Sequence, residues 1–235
     1  MYITYLGHSG FLFELTDCYI IVDYYEGTLP ILDKNKTVYV FASHSHQDHY
    51  NPQVFEILRE QSFPTCNVQA VLSKDIYYKK IPQDIFYLYV KPNQVINLSE
   101  EIAVYAFKST DAGVAFLINT KECTIFHAGD FNDWVWEEAT KAENNNMTAN
   151  FRRELEKIAD FPIHVACFPL DPHLGKNYAR GLSYFLSKIK PNIVFPMHYW
   201  KQDDIIKKFL EEYPAYVSIV CDTEHTQHKF YKNST

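Results

Sequence analysis

The chain has 235 residues, 47% of them apolar, and 22 basic against 29 acidic residues leave a formal charge of −7. That length suffices for one large domain or two small ones. The acidic balance argues against a general nucleic-acid binder, and no apolar run approaches the roughly 18–20 residues of a membrane helix.

The first quarter reads as strands: ITYL, FLFEL and YIIVD are short, β-branched and aromatic, and Gly7, Gly10 and Asp17 punctuate them. TVYVFA (37–42) is a continuous apolar run, the pattern of a strand buried on both faces. Asn51-Pro52 opens a helix with Val54, Ile57 and Leu58 at helical spacing. Strands return with VQAVLS, DIFYLYV, QVINL, IAVYAF, GVAFLIN and CTIFHAG. After Asp130 the pattern changes to a polar stretch, with the Asn run 144–146 expected at a loop tip and a helix near FRRELEKIA. IHVACF then precedes a helix carrying Leu182, Phe185, Leu186 and Ile189. NIVFPM precedes another with Ile205, Ile206, Phe209 and Leu210, stopped by Pro214, and YVSIVC is a last strand. There is no repeat and no linker, so residues 1–235 are expected to form a single α/β domain of two sheets with helices outside.

The five cysteines, Cys18, Cys66, Cys123, Cys167 and Cys221, are odd in number and widely spaced, with no CxxC pair. They read as reduced core residues, which suits a cytoplasmic protein. No basic segment followed by an apolar one marks a signal peptide.

Residues 41–52, FASHSHQDHYNP, place His44, His46, Asp48 and His49 within six positions directly after an apolar run. Side chains at i and i+2 of an extended segment share a face, so His44 and His46 point the same way. Asp48 and His49 follow in the turn, where the chain curls back. Imidazole suits zinc, and the carboxylate brings the negative charge that a pair of divalent cations needs.

SHSHQDH resembles the HxHxDH signature of the metallo-β-lactamase superfamily. His127-Ala128-Gly129-Asp130 resembles the family's Gly-Asp motif, and Pro196-Met197-His198-Tyr199 its last histidine motif. LGHSGFLFE, followed by Asp23 after IIV, is similar to the opening of the branch with ascorbate-phosphate lactonase-like and N-acyl-phosphatidylethanolamine phospholipase-like hydrolases. The order matches from about residue 3 to 220. The resemblance implies a four-layer αββα sandwich and two divalent ions, zinc being favoured and manganese or iron the alternatives. His44 and His46 would hold the first ion, Asp48, His49 and His198 the second, and Asp130 would bridge them. The implied reaction is attack by a metal-bound hydroxide on a small-molecule ester, lactone or phosphodiester. Asp48 and Asp130 would balance the charge and aim the nucleophile. A non-catalytic metal-binding scaffold or sensor is the alternative, and a nuclease ranks after it.

The chain departs from the pattern between His49 and His127, where the family's further histidine is missing. Ser109, Thr110 or Asp111 stands in, or the first site stays open; Asp111 is the best donor, or only shapes the turn before Gly113. His8 in the GHSG turn is a candidate second-layer or substrate contact. Asp23 either orients a ligand histidine through its second N–H or caps a turn. His127 supports the site from behind or is core. In LDPHLGKNYARG (170–181), Asp171 and His173 are candidates for contacting substrate or handling protons, and Lys176 and Arg180 for contacting an anion, against a plain polar loop. Trp134, Trp136, Tyr199 and Trp200 either wall an apolar pocket or pack. His164 reads as structural, and His225 and His228 as part of a solvated tail. Substrate choice is expected in loops 26–36, 74–85, 131–150 and 171–180. Neither the substrate nor an oligomeric state is legible.

Overall fold

The structure, a computed structural model, describes residues 1–77, 81–222 and 227–229. In chain order its strands and helices are β1 (Tyr2–Gly7), β2 (Gly10–Glu14), β3 (Cys18–Val22), β4 (Thr37–Ala42), α1 (Gln53–Glu60), β5 (Val68–Ser73), β6 (Phe86–Val90), β7 (Gln94–Ser99), β8 (Ile102–Lys108), β9 (Val114–Thr120), β10 (Thr124–His127), α2 (Lys141–Glu156), β11 (Val165–Pro169), α3 (Arg180–Lys188), β12 (Ile193–Met197), α4 (Asp204–Glu212) and β13 (Gln227–Lys229). None of the described helices is long and apolar enough to cross a membrane. The chain divides into two compact units, Met1–Lys91 with His225–Thr235, and Pro92–Glu224.

The first unit carries a seven-stranded sheet in the order β13-β1-β2-β3-β4-β5-β6. Its β13-β1-β2-β3 part is antiparallel and its β3-β4-β5-β6 part parallel. Every residue of β3 is buried, as is nearly every residue of β4, in keeping with the unbroken apolar runs. Helix α1 presents Val54, Phe55 and Leu58 to a core that includes Val40, Ala70 and Leu72. The helix starts at Gln53, one residue later than expected, and Asn51 Oδ1 still accepts the Gln53 N–H at 3.0 Å. The register pairs Ile3 with His228, so the backbone there is strand rather than loose tail, while His225 lies outside the described residues.

Gly27 has φ +93°, and a Cβ built on it would stand 2.0 Å from the backbone oxygen of Leu6. Neither strand nor turn can yield cheaply there. Gly27→Ala is expected to destabilise the fold by about 2–4 kcal/mol, seen as a lower melting temperature; an unchanged melting curve would contradict the close approach.

The second unit carries a six-stranded sheet in the order β12-β11-β10-β9-β8-β7. Strands β10, β11 and β12 are parallel and the rest antiparallel. Its core is aromatic: Phe168 and Phe126 stack on Phe185 of α3, and Phe131 packs on Phe151 of α2, with centroids 4.6, 5.7 and 5.0 Å apart.

Two sequence expectations fail here. Residues 144–146 lie inside α2, not at a loop tip. Asn is a poor helix former, but a capping box overrides it: Thr140 Oγ1 accepts the Glu143 N–H and Glu143 accepts the Thr140 N–H at 2.8 Å. The segment YVSIVC is not a strand either. It begins inside a 3₁₀ turn (Pro214–Tyr216) and makes one bridge, Val220 to Val194, because β propensity counts only where a partner edge runs alongside.

Candidate active site

In each unit the polar residues of interest follow the carboxyl ends of parallel strands, where loops and not ladder contacts set side-chain direction. In the first unit Asp23 follows β3, Ser43–His49 follow β4 and Asp75 follows β5. Asp23 has a left-handed φ of 49° and is fully buried. Its Oδ1 accepts the Ser43 N–H at 2.7 Å; its Oδ2 accepts the Ser43 hydroxyl at 2.6 Å and Nδ1–H of His49 at 2.7 Å. A carboxylate only accepts, so His49 carries its proton on Nδ1 and its lone pair on Nε2. The single Ser43 proton goes to Asp23. The Ser43 oxygen therefore accepts from Nδ1 of His44, 3.0 Å away, which fixes the same tautomer there.

The turn after β4 does the rest. The His46 carbonyl accepts the N–H groups of His49 and Tyr50 at 3.1 and 3.0 Å, curling Asp48 and His49 back. The His44 ring lies 4.4 Å from that of His46 and 4.1 Å from that of His49. Asp75 Oδ2 accepts the Ser45 N–H at 2.8 Å, fixing the link between His44 and His46. His8, at φ 50°, brings Nε2 to 3.0 Å from Asp48 Oδ2, which is itself 3.8 Å from His49 Nε2. Burial alone would raise the Asp48 pKa; the His8 contact and the fields of His49 and His8 outweigh it and hold the carboxyl well below the usual carboxylate range.

In the second unit Asp130, Asp171 and His198 follow β10, β11 and β12. The Asp130 carbonyl accepts Trp134 Nε1–H at 2.8 Å. Thr110 Oγ1 accepts the Asn132 N–H at 2.9 Å and donates to the Asn132 carbonyl at 2.7 Å, so the backbone around Asp130 is held from both sides. His198 sits at φ 61°. Its Nδ1–H donates to Asp171 Oδ2 at 2.9 Å, leaving the Nε2 lone pair 3.6 Å from Asp130 Oδ1. Asp171 also accepts the His173 N–H at 2.8 Å, His173 Nδ1–H at 2.9 Å and Trp200 Nε1–H at 3.3 Å. Burial raises its pKa, but the His198 and His173 donors and their charge outweigh burial and lower it.

This donor set fits a divalent cation. Two ligands on a tetrahedral zinc, with bonds of about 2.0–2.1 Å, stand roughly 3.3–3.4 Å apart. The Nε2-to-carboxylate separations of 3.8 Å (His49, Asp48) and 3.6 Å (His198, Asp130) are too long for hydrogen bonds and close to that spacing. Nδ1 anchored on a carboxylate with Nε2 left to ligate is the usual arrangement around metal histidines.

Other candidates fall elsewhere. Asp111 is exposed, its N–H donating to Ser109 Oγ at 3.3 Å, and the Thr110 hydroxyl is committed to Asn132. His127 is buried and accepts the Gly129 N–H at 3.2 Å. His164 accepts the Thr124 N–H at 3.0 Å, a structural role. Arg180 pairs with Asp133 at 3.0 Å and Lys176 with Glu137 at 3.4 Å, so both expected anion contacts already have carboxylate partners. Ser43 and Asp75 also contribute, though the sequence does not single them out: their partners lie one and 30 positions away, and nothing local marks the second.

The profile of a family described as Beta-lactamase superfamily domain matches residues 2–145, more than half of the chain. The chain belongs to the β-lactamase superfamily. A protein named UPF0173 metal-dependent hydrolase from Caldivirga maquilingensis is 25% identical over 207 residues, covering 84% of this chain and 82% of its own. Another of that name from Pyrobaculum calidifontis is 25% identical over 239 residues, covering 94% and 93%. Among solved structures, Igni18, a metallo hydrolase from Ignicoccus hospitalis, superposes with a TM-score of 0.69 at 17% identity over 98% of this chain and 99% of that one. The fold is therefore the metallo-β-lactamase fold, two mixed sheets with helices, and the chain is a metal-dependent hydrolase of that fold.

Proposed function

We propose that His44, His46, Asp48, His49, Asp130 and His198 hold two divalent ions, zinc before manganese or iron, and that the enzyme hydrolyses a small-molecule ester, lactone or phosphodiester. Residues 1–235 would act as one domain; the family match, which runs through the boundary at Lys91 and Pro92, supports this. The LGHSGFLFE opening supports the lactonase-like and phospholipase-like branch. None of the five cysteines is in a disulfide, which supports a reducing, cytoplasmic compartment.

The observation that carries the reading is the shared tautomer of His44, His49 and His198, each anchored through Nδ1 so that the lone pair lies on Nε2. When bound, the ions supply a water acidic enough to ionise near neutral pH and polarise the substrate oxygen. The protein orients the three imidazoles, presents Asp48 and Asp130 as anionic donors, and keeps Asp48 ionised across the working pH range. His8, against Asp48, stands ready to hold a proton or a substrate oxygen at Nε2.

The first ion lacks the family's third histidine, and neither Thr110 nor Asp111 makes up that donor. Chelator titration of the loaded protein is therefore expected to remove the ions in two steps, the first in time being the one held by His44 and His46. His46→Ala should abolish the early step alone. Release of both ions in one step, unaffected by His46→Ala, would contradict this. One ion per chain with no turnover across esters, lactones and phosphodiesters would favour the scaffold.

A further inference from the structure

The chain has three tryptophans; two of them meet His198 and the third stacks on one of those two. Trp134 meets the His198 ring edge-on at 5.7 Å, and Trp200 meets it edge-on at 5.4 Å. Trp136 stacks on Trp134 at 6.2 Å with planes 7° apart. Trp134 is buried, but Trp136 is 39% and Trp200 44% exposed.

Exposed indoles on a loose loop would call for no explanation. These two sit on held backbone. Asn144, from the asparagine run inside α2, clamps Trp136 at both ends: its Oδ1 accepts the Trp136 N–H at 3.1 Å and its Nδ2 donates to the Trp136 carbonyl at 2.7 Å. Asn177 donates to the Val135 carbonyl at 3.0 Å, and Arg180 holds Asp133. Trp200 has φ 53° and Lys201 φ 60°, a left-handed pair that non-glycine residues adopt at a cost. The Trp200 indole is fixed by its bond to Asp171, and its edge meets the His173 ring at 5.5 Å.

Strained and clamped backbone that holds two large apolar rings in water gains little for the fold, since their burial is incomplete. It makes sense as a preformed surface for a ligand, because rigid aromatic anchors lose little entropy on binding. Charges of both signs flank the rings: Arg180 and Lys176 pair with Asp133 and Glu137, and Glu138 and Lys201, near the indoles in sequence, are exposed, so no single sign dominates the surface.

We propose that Trp136 and Trp200 form a substrate-recognition platform beside His198 for a flat, uncharged aromatic or heteroaromatic group, so that the natural substrate carries such a group next to its hydrolysable bond. This rests on the reading that His198 belongs to the active site, but the platform itself needs no metal to be tested.

Intrinsic fluorescence reports on this region alone, because no other tryptophan exists in the chain. Titrating metal-free protein with 4-nitrobenzyl alcohol, a neutral planar quencher, is expected to give saturable quenching. In a Trp136→Leu/Trp200→Asn variant the affinity should fall about tenfold or more; asparagine is chosen because it tolerates positive φ. Unchanged thermal unfolding of the variant checks the fold, and the single variant Trp136→Leu, expected to show an intermediate loss, serves if the double variant unfolds. Linear, non-saturable quenching in the native protein would overturn the platform, as would equal affinity in the folded variant. Calorimetric binding of tetramethylammonium in preference to the aromatic probe would overturn it too, assigning the rings to a cation. Metal counts separate the readings: two ions without saturable quenching sinks the platform only, and saturable quenching without ions sinks the metal reading only.

Discussion

Asp130→Asn is expected to lower kcat/KM for any hydrolysed substrate by about a thousandfold and to remove at least one metal equivalent. The amide matches the carboxylate in size, so packing is conserved at this buried position. The backbone there is held by Trp134 Nε1–H and the Thr110 clamp, neither of which involves the side chain. What the substitution removes is the negative charge beside His198 Nε2. Loss of an anionic donor to two cations is worth several kcal/mol, and about 4 kcal/mol corresponds to three powers of ten in rate. The metal-free variant should melt close to the metal-free parent. A variant that keeps two ions and full rate would remove Asp130 from the machinery.

Asp171→Asn is expected to weaken metal binding by about 10–100-fold, the range for the outer partner of a ligating histidine. Asp171 touches no candidate metal in this account; it holds the proton on Nδ1 of His198. An amide nitrogen facing Nδ1 would donate instead, driving the imidazole proton to Nε2 and cancelling the lone pair. Asp171→Ala lets water accept the Nδ1 proton and should be the milder change. A purely structural role predicts the reverse order and no change in metal affinity. Competition against a chromophoric chelator on metal-free protein distinguishes the two, and melting curves identify any loss through unfolding. Asp23 stands to His49 as Asp171 does to His198, but it also holds Ser43 and is fully buried, so its removal would confound tautomer with folding.

What the sequence made legible follows from range. His44, His46, Asp48 and His49 lie in one segment, so their spacing alone announced them. The strands after which Asp130 and His198 sit were readable as apolar runs ending in a motif. The Asp23 role was readable in kind, since a carboxylate after a buried strand has few uses. Asp75 and Asn144 were not readable, because each acts through partners that only the folded chain brings near. Asp171 was visible as a candidate but its work was not, since its histidine lies 27 positions away, just after the next strand. The misread asparagine run is different in kind. Thr140 and Glu143 spell a capping box in the sequence itself, and low helix propensity at three positions masked a start signal strong enough to carry them. The absent third histidine was legible as a gap, and the structure adds that Thr110 is engaged elsewhere.

The central claim is that imidazoles and carboxylates distributed along the whole chain serve two cations. Element-resolved metal analysis of protein purified without added metal tests it most directly. Two divalent ions per chain, mainly zinc, are expected, falling to one or fewer in His49→Ala and in His198→Ala, with parallel loss of hydrolysis. Two ions retained in both variants, or none in the native protein after exposure to zinc, manganese and iron in turn, would contradict it.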